Sequence, residues 1–351
     1  MTLTLASCSG GGASPAALAG SYQACPTCTV QVTRVMTVAS EHDSLIPDDA
    51  TDVVRLENGE FVAIAAGGDR LLRYGTDGKY VSSLGVPGDG PGELRGVFEL
   101  YRLGNNVVAS RRDGRAIEYA PAGDLVSEHV IPPRCRRATV EAEVLCVGFH
   151  PEPTGEAGLP FHVLTLTGGR LRSFGPTGRG NPAFCPLCRS TASLANGPDP
   201  VLVAAEWPRY RVEWWRLSGE RVGGFALDSV PFEDFRIAGG PQGPAGMPMV
   251  SGVMHATGDT AWVLRSVDTS STHYELMMSG RWTPGAVSGA DQEGTTISLV
   301  DVVVAGTGRL QGMTIAGRRF RPLGDGLVWS REYTPSGAVT IGIWRLELTR
   351  P

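Results

Sequence analysis

Six of the seven cysteines fall into close pairs: Cys25 and Cys28 in Cys-Pro-Thr-Cys, Cys135 and Cys146, and Cys185 and Cys188 in Cys-Pro-Leu-Cys. Thiols so spaced can close local disulfides in an oxidising compartment, hold zinc, or exchange electrons. The two Cys-x-x-Cys units lie too far apart in sequence for a compact zinc ribbon. Neither is followed by a helix start that would stabilise a thiolate. Three local disulfides are the expectation, with metal ligation and redox-active thiols as alternatives.

A second stretch with chemical potential runs from Ser82 to Gly96, with glycines at 85, 88, 90, 92 and 96 and acidic groups at Asp89 and Glu93. A phosphate-cradling loop would deliver its amides at a helix N-terminus. Val97 to Leu103 instead reads as a strand, so the stretch is expected to be a structural corner with Leu94 as its apolar anchor. A related design returns at Ser173 to Phe184.

Arginines form the third group. Arg111, Arg112 and Asp113, then Phe149 and His150, then Glu206, Trp207, Arg209 and Tyr210, then Arg265 and Asp268, then Arg331, Glu332 and Tyr333 each follow or end a short apolar run. Guanidinium groups converging on one rim, beside aromatic stacking surfaces, suit carboxylate, phosphate or sugar-acid ligands through paired hydrogen bonds. The alternative is ion pairing within the protein. The ligand-binding candidates are Arg111, Arg112, His150, Glu206, Trp207, Arg209, Arg265, Arg331 and Tyr333, and no catalytic residue is assigned. The six histidines are scattered, and no nucleophile elbow, zinc-protease helix or phosphate-loop lysine appears.

The elements that would position these groups are strands. The 351 residues include 47 Gly and 25 Pro with a charged fraction of 19%, a composition of short strands and turns. One turn recurs: Thr76-Asp77-Gly78-Lys79, Pro121-Ala122-Gly123-Asp124, Thr167-Gly168-Gly169-Arg170, Leu217-Ser218-Gly219-Glu220 and Gly306-Thr307-Gly308-Arg309. Their spacings are 45, 46, 50 and 89 residues. A period near 45 with four strands per unit marks a propeller blade.

Five units can be read with four strands each, the fifth carrying an insertion in which His273 to Gly285 is expected to form an apolar plug on its own blade, with a partner-docking patch as the alternative. The last unit, from Phe320 to Leu348, supplies three. Thr29 to Val38, alternating apolar and polar, is expected to complete it, with Val30, Val32, Val35 or their neighbours facing Ile341 and Ile343. The expected fold is all-β, a single six-bladed β-propeller of four-stranded antiparallel blades over residues 29–350, behind a flexible tether over 1–28.

"DRLLRYGTDGKYVSSLGVPGDGPGEL", Asp69 to Leu94, resembles the NHL-type repeat, and the chain as a whole is similar to six-bladed propeller lipoproteins of bacteria. The resemblance implies a non-enzymatic ligand-binding or protein-interaction module with no cofactor. It also admits a lactonase-like hydrolase holding a divalent cation through Glu206, Asn105 or Asn196, and Asp52 or Asp268, or a zinc lyase using His150 and His255. The start, Leu5-Ala6-Ser7-Cys8, resembles a lipobox, which makes Cys8 the candidate lipidation site and the periplasm or outer membrane the expected location. If Met1 is the true start, the location is cytoplasmic.

A net charge of -5 leaves no basic excess for nucleic acid. No apolar run reaches membrane-spanning length, so a membrane would be met through the lipid alone. A monomer binding a small anionic ligand or a protein partner is the expectation.

Overall fold

The short alternating runs become strands, and Gly78, Gly123 and Gly219 of the recurring turn hold the positive φ of a tight hairpin. The structure, a computed structural model, describes residues 29–38, 52–111, 113–130, 136–140, 143–147, 159–165, 169–175, 189–194, 200–207, 210–227, 249–256, 260–268, 296–304, 308–316, 318–333 and 339–349. Among these, six four-stranded sheets and one two-stranded pair are formed.

The first sheet joins β2 (Val53–Arg55), β3 (Phe61–Ile64), β4 (Leu71–Tyr74) and β5 (Tyr80–Leu84) in sequence order. The corner that follows holds β6 (Val86–Pro87) and β7 (Glu93–Leu94), paired in parallel. The second sheet is β8 (Val97–Leu103), β9 (Asn106–Arg111), β10 (Arg115–Tyr119) and β11 (Leu125–Val130). The third is β12 (Arg136–Val140), β13 (Glu143–Val147), β14 (Phe161–Thr165) and β15 (Arg170–Phe174).

The fourth sheet is β16 (Arg189–Leu194), β17 (Val201–Trp207), β18 (Tyr210–Arg216) and β19 (Arg221–Leu227). The fifth is β20 (Met249–His255), β21 (Thr260–Asp268), β22 (Thr296–Val304) and β23 (Gly308–Ala316). The sixth takes β24 (Arg321–Gly324), β25 (Leu327–Tyr333) and β26 (Val339–Thr349), and its outermost strand is β1 (Thr29–Val38) from the other end of the described chain.

The first strands β2, β8, β12, β16, β20 and β24 touch one another in that cyclic order, and β24 touches β2. The fold is an all-β propeller. Its core is divided among the faces between successive sheets, so central strands are apolar on both sides; β3 is buried at every position.

Leu84 and Leu94 pack with Val107 and Ile117 between the first and second sheets. Tyr101, Val108 and Leu164 lie between the second and third, and Phe161, Phe174, Leu202 and Trp215 between the third and fourth. Trp214 and Phe225 meet Val253 and Val263 next, then Trp262 and Val300 meet Phe320 and Trp344. The last layer sets Val38, Trp329, Ile341 and Ile343 against Val53, Phe61 and Tyr74.

The strand closing the sixth sheet meets the expected register in part, through Met36, the neighbour of Val35. Val38 opposes Ile341 and Met36 opposes Ile343, whereas Val30 and Val32 oppose Leu348 and Leu346. A bulge between Arg34 and Met36 sets this alignment, and Val35, the extra residue, is exposed.

The turn glycines have a second role besides positive φ. A Cβ on Gly78 would stand 2.5 Å from the Thr37 carbonyl oxygen of β1, one on Gly123 would touch Leu84 of β5, and one on Gly219 would meet Phe174 of β15. Each turn therefore seats against the outermost strand of the preceding sheet, and at Gly78 and Gly219 a side chain would press the two apart.

Candidate functional site

Within each sheet the second and fourth strands run in the same direction, so the end of the second strand shares an edge with the exit toward the next sheet. Arg111 ends β9 on that edge, with its side chain almost wholly buried. Its Nη2 donates to Asp89 Oδ1 at 2.9 Å and pairs with Asp113 Oδ2 at 2.9 Å, and its Nη1 donates to the Glu93 carbonyl at 3.2 Å. Asp89 and Glu93 belong to the glycine corner, which thus faces the edge that carries Arg111. Three acceptors leave this guanidinium committed to the protein's own groups rather than presented to a ligand.

The corner itself is an anion-binding loop that the chain fills with its own carboxylates. The Gly90 amide donates to Glu93 Oε2 at 2.7 Å, and the Gly92 amide donates to Glu128 Oε2 at 2.9 Å. Arg115, at the start of β10, pairs with Glu128 and donates to the carbonyls of Asp89 and Gly90. The Tyr119 hydroxyl donates to the Gly92 carbonyl at 2.6 Å. Leu94 is fully buried, anchoring the loop as expected.

These contacts set the local electrostatics. Burial works to raise the Glu128 carboxyl, but the Gly92 amide and the Arg115 and Arg111 guanidinium groups outweigh it and hold it below the usual carboxylate range. Burial, assisted by the negative charge of Glu128, pushes the Tyr119 phenol up to about 12.

The remaining rim candidates separate. Arg265 on β21 is buried and donates from Nε to Asp301 Oδ2 at 2.6 Å; it too is an internal ion pair. Arg331 is buried on β25 opposite Ile341, and Tyr333 ends that strand opposite Val339. Glu206 and Trp207 are paired in β17 with Ser190 and Arg189, and Asp268 ends β21 opposite Thr296. Arg112, Phe149, His150 and Arg209 lie outside the described residues. Arg111 and Arg265 thus both show the ion pairing within the protein that the sequence left as the alternative to ligand contact.

Of the metal candidates, Asp52 accepts the Leu100 amide at 2.8 Å, a clamp between the first two sheets. Asn196 lies outside the described residues. Among the described residues no group of three or more His, Cys, Asp or Glu is placed to hold a metal ion. In the cysteine set, Cys146 lies in β13 opposite Arg137 on one side and His162 on the other. Cys8, Cys25, Cys28, Cys135, Cys185 and Cys188 lie outside the described residues, as does the segment from His273 to Gly285.

Two polar clusters escaped the sequence reading. On the second sheet Glu118, nearly buried, accepts from Asn106 Nδ2 and Ser127 Oγ at 2.6 Å each, and Ser127 Oγ meets His129 Nε2 at 2.7 Å. Ser127 Oγ thus bridges the Glu118 carboxylate, to which it donates, and the His129 ring. On the sixth sheet the Trp344 ring has Arg34 Cζ at 5.3 Å and Arg318 Cζ at 4.3 Å from its centroid. Glu332 takes both guanidinium groups, at 2.5 Å from Arg34 and 3.5 Å from Arg318. Arg34 lies 298 residues from Glu332, and strand periodicity carries no signal for such a meeting.

The outermost strands show a regularity of another kind. The second residue of β5, β11, β15 and β19 is an exposed aliphatic: Val81 at 48%, Val126 at 50%, Leu171 at 50% and Val222 at 44% of full exposure. Each follows its hairpin turn at the same step, so four consecutive sheets present an equivalent apolar group outward.

No protein-family model matches the chain, and no curated protein sequence matches it. Among solved structures it is similar to a member of the DUF4221 family from Bacteroides vulgatus ATCC 8482, with 9% identity, a TM-score of 0.53, and coverage of 92% of this chain and 99% of that one. It is also similar to a protein assigned to export in Bacteroides fragilis NCTC 9343, with 9% identity, a TM-score of 0.55, and coverage of 92% and 96%. At such identities the likeness concerns the fold.

Proposed function

We propose that this chain is a non-enzymatic protein-interaction propeller of the bacterial cell envelope. In this reading each four-stranded sheet is one blade of a six-bladed, NHL-like ring. Cys8 carries the lipid anchor, and the paired cysteines are disulfides of an oxidising compartment. A structural neighbour assigned to export supports the location, as does the Leu-Ala-Ser-Cys start.

The observation that carries the proposal is the repeated exposure of Val81, Val126, Leu171 and Val222 on successive outer strands. Exposed aliphatics scattered singly need no explanation, but an equivalent one on each of four adjacent sheets makes a surface that a protein partner can cover. Arg111 and Arg265, turned inward onto carboxylates, favour this reading over a small anionic ligand.

Sedimentation of gently solubilised envelopes of the source bacterium tests it. The wild-type chain should travel in an assembly heavier than the monomer, and Val126→Lys with Val222→Lys should release it as a folded monomer. A wild-type chain that sediments alone would overturn the reading.

A further inference from the structure

The sixth sheet is the one assembled from both ends of the described chain, and its joint has a specific chemistry. We propose that the edge of β26 is a strand-binding groove which accepts β1 from a second copy of this chain, giving an exchanged dimer beside the closed monomer.

The groove is defined by what β1 puts into it. Val30 and Val38, near the two ends of β1, are buried, the first in the layer between the fifth and sixth sheets and the second in the layer between the sixth and first. Between them Arg34 lies over Trp344 and reaches Glu332, with Arg318 on the same ring and the same carboxylate. Trp344 is fixed by its Nε1 donating to Ser330 Oγ at 2.9 Å. A Cβ on Gly342 would stand 2.6 Å from Glu332 Oε1 and 2.7 Å from Trp344 Nε1, so the bare glycine lets both groups sit against the sheet. The groove therefore selects an extended segment with aliphatic residues near both ends and an arginine between, which is the sequence of β1 itself.

Nothing in this joint requires the strand to come from its own chain. Every β1–β26 pair joins residues about 300 positions apart, and the strand leads to β2 through residues 39–52. Fully extended, that stretch would reach roughly 45–50 Å, enough to hand β1 to a neighbour. An exchanged strand makes the same contacts as a retained one, so the two forms differ mainly in the freedom lost on association. A tethered strand competes at an effective concentration on the order of a millimolar. Refolding at about 100 µM should therefore trap roughly one chain in ten as exchanged dimer, and tenfold fewer at 10 µM.

Thr33 and Arg345 oppose each other across the joint and both are exposed, which allows the exchange to be read covalently. Thr33→Cys and Arg345→Cys variants of the full chain, each first shown to melt like wild type, are mixed, unfolded, refolded together at about 100 µM and oxidised. Peptide mapping should find a 33–345 disulfide between chains in a few per cent of the protein, rising with refolding concentration. Absence of the 33–345 link at the highest concentration, or a yield that does not rise with refolding concentration, would overturn the proposal. Neither result depends on whether the outer strands bind another protein.

Discussion

Glu93 folds back so that its carboxylate lies 2.7 Å from the amide of Gly90, in the position an external anion would take in a glycine loop. A Cβ on Gly88 would stand 1.9 Å from the same Oε2 atom, and Gly88 holds a φ of 152°. Gly88→Ala should accordingly destabilise the protein by about 1–3 kcal/mol through backbone strain and displacement of Glu93, measured by chemical denaturation. A cost below about 0.5 kcal/mol would show that the loop tolerates losing the contact.

The corner gives stability a defined acid dependence. Glu128 and Glu60 are both held below their ordinary value of 4.5, Glu128 against its burial by Gly92 and Arg115, and Glu60 chiefly by its hydrogen bonds from Arg73. A carboxyl with a lowered folded-state pKa contributes stability that is complete above 4.5 and is lost as pH falls below it. The melting temperature should drop below pH 4.5, and Glu128→Gln should flatten part of that drop.

Tyr119 works in the opposite direction at alkaline pH. Its phenol, raised from 10 to about 12, keeps its proton longer in the folded state, so its contribution is complete below pH 10 and lost as pH rises from 10 to 12. Tyr119→Phe should remove that alkaline decline and also lose the hydrogen bond to the Gly92 carbonyl, about 1 kcal/mol at neutral pH. Melting curves of both proteins from pH 9 to 12 test this.

Arg265 and Asp301 form a buried pair, with side chains 4% and 0% exposed. Taking away one charge of a buried pair strands the other, so Asp301→Ala should cost about 3–5 kcal/mol. Replacing both with aliphatic residues should recover most of that loss. Urea denaturation of the single and double variants reads the difference, and equal losses in both would mean that the residues act through packing instead.

The turn glycines should divide by their surroundings. Gly78→Ala would drive a Cβ to 2.5 Å from the Thr37 carbonyl oxygen, whereas Gly104, also at positive φ, has nothing within 4 Å of a built Cβ. Both variants should show backbone strain of about 1 kcal/mol, with a further loss in Gly78→Ala as the first sheet is forced off β1. Thermal melts of the two variants compare them directly.

Strand positions, the recurring turn and the need for β1 to complete the last sheet were all legible in the sequence, because alternation of period two and left-handed glycines are local properties of the chain. The Asp69 to Leu94 stretch even disclosed that its glycines form a corner, since a strand rather than a helix follows. The register of β1 was legible only in part. Val30, Val32, Met36 and Val38 satisfy an alternating pattern in more than one alignment, and the bulge at Val35 that selects among them arises from packing on both neighbouring sheets.

The sequence by itself determined which residues lie in strands and that arginines recur where second strands end. Whether those arginines face a ligand or the protein was decided by tertiary structure alone. Asp89 comes to Arg111 from the corner before its sheet, and Asp301 comes to Arg265 from the neighbouring strand across a long insertion. A carboxylate that meets its partner through the twist and stacking of sheets leaves no fixed spacing to read. The same reason hid the meeting of Arg34, Arg318, Glu332 and Trp344, which exists because the ring brings the two ends of the chain together.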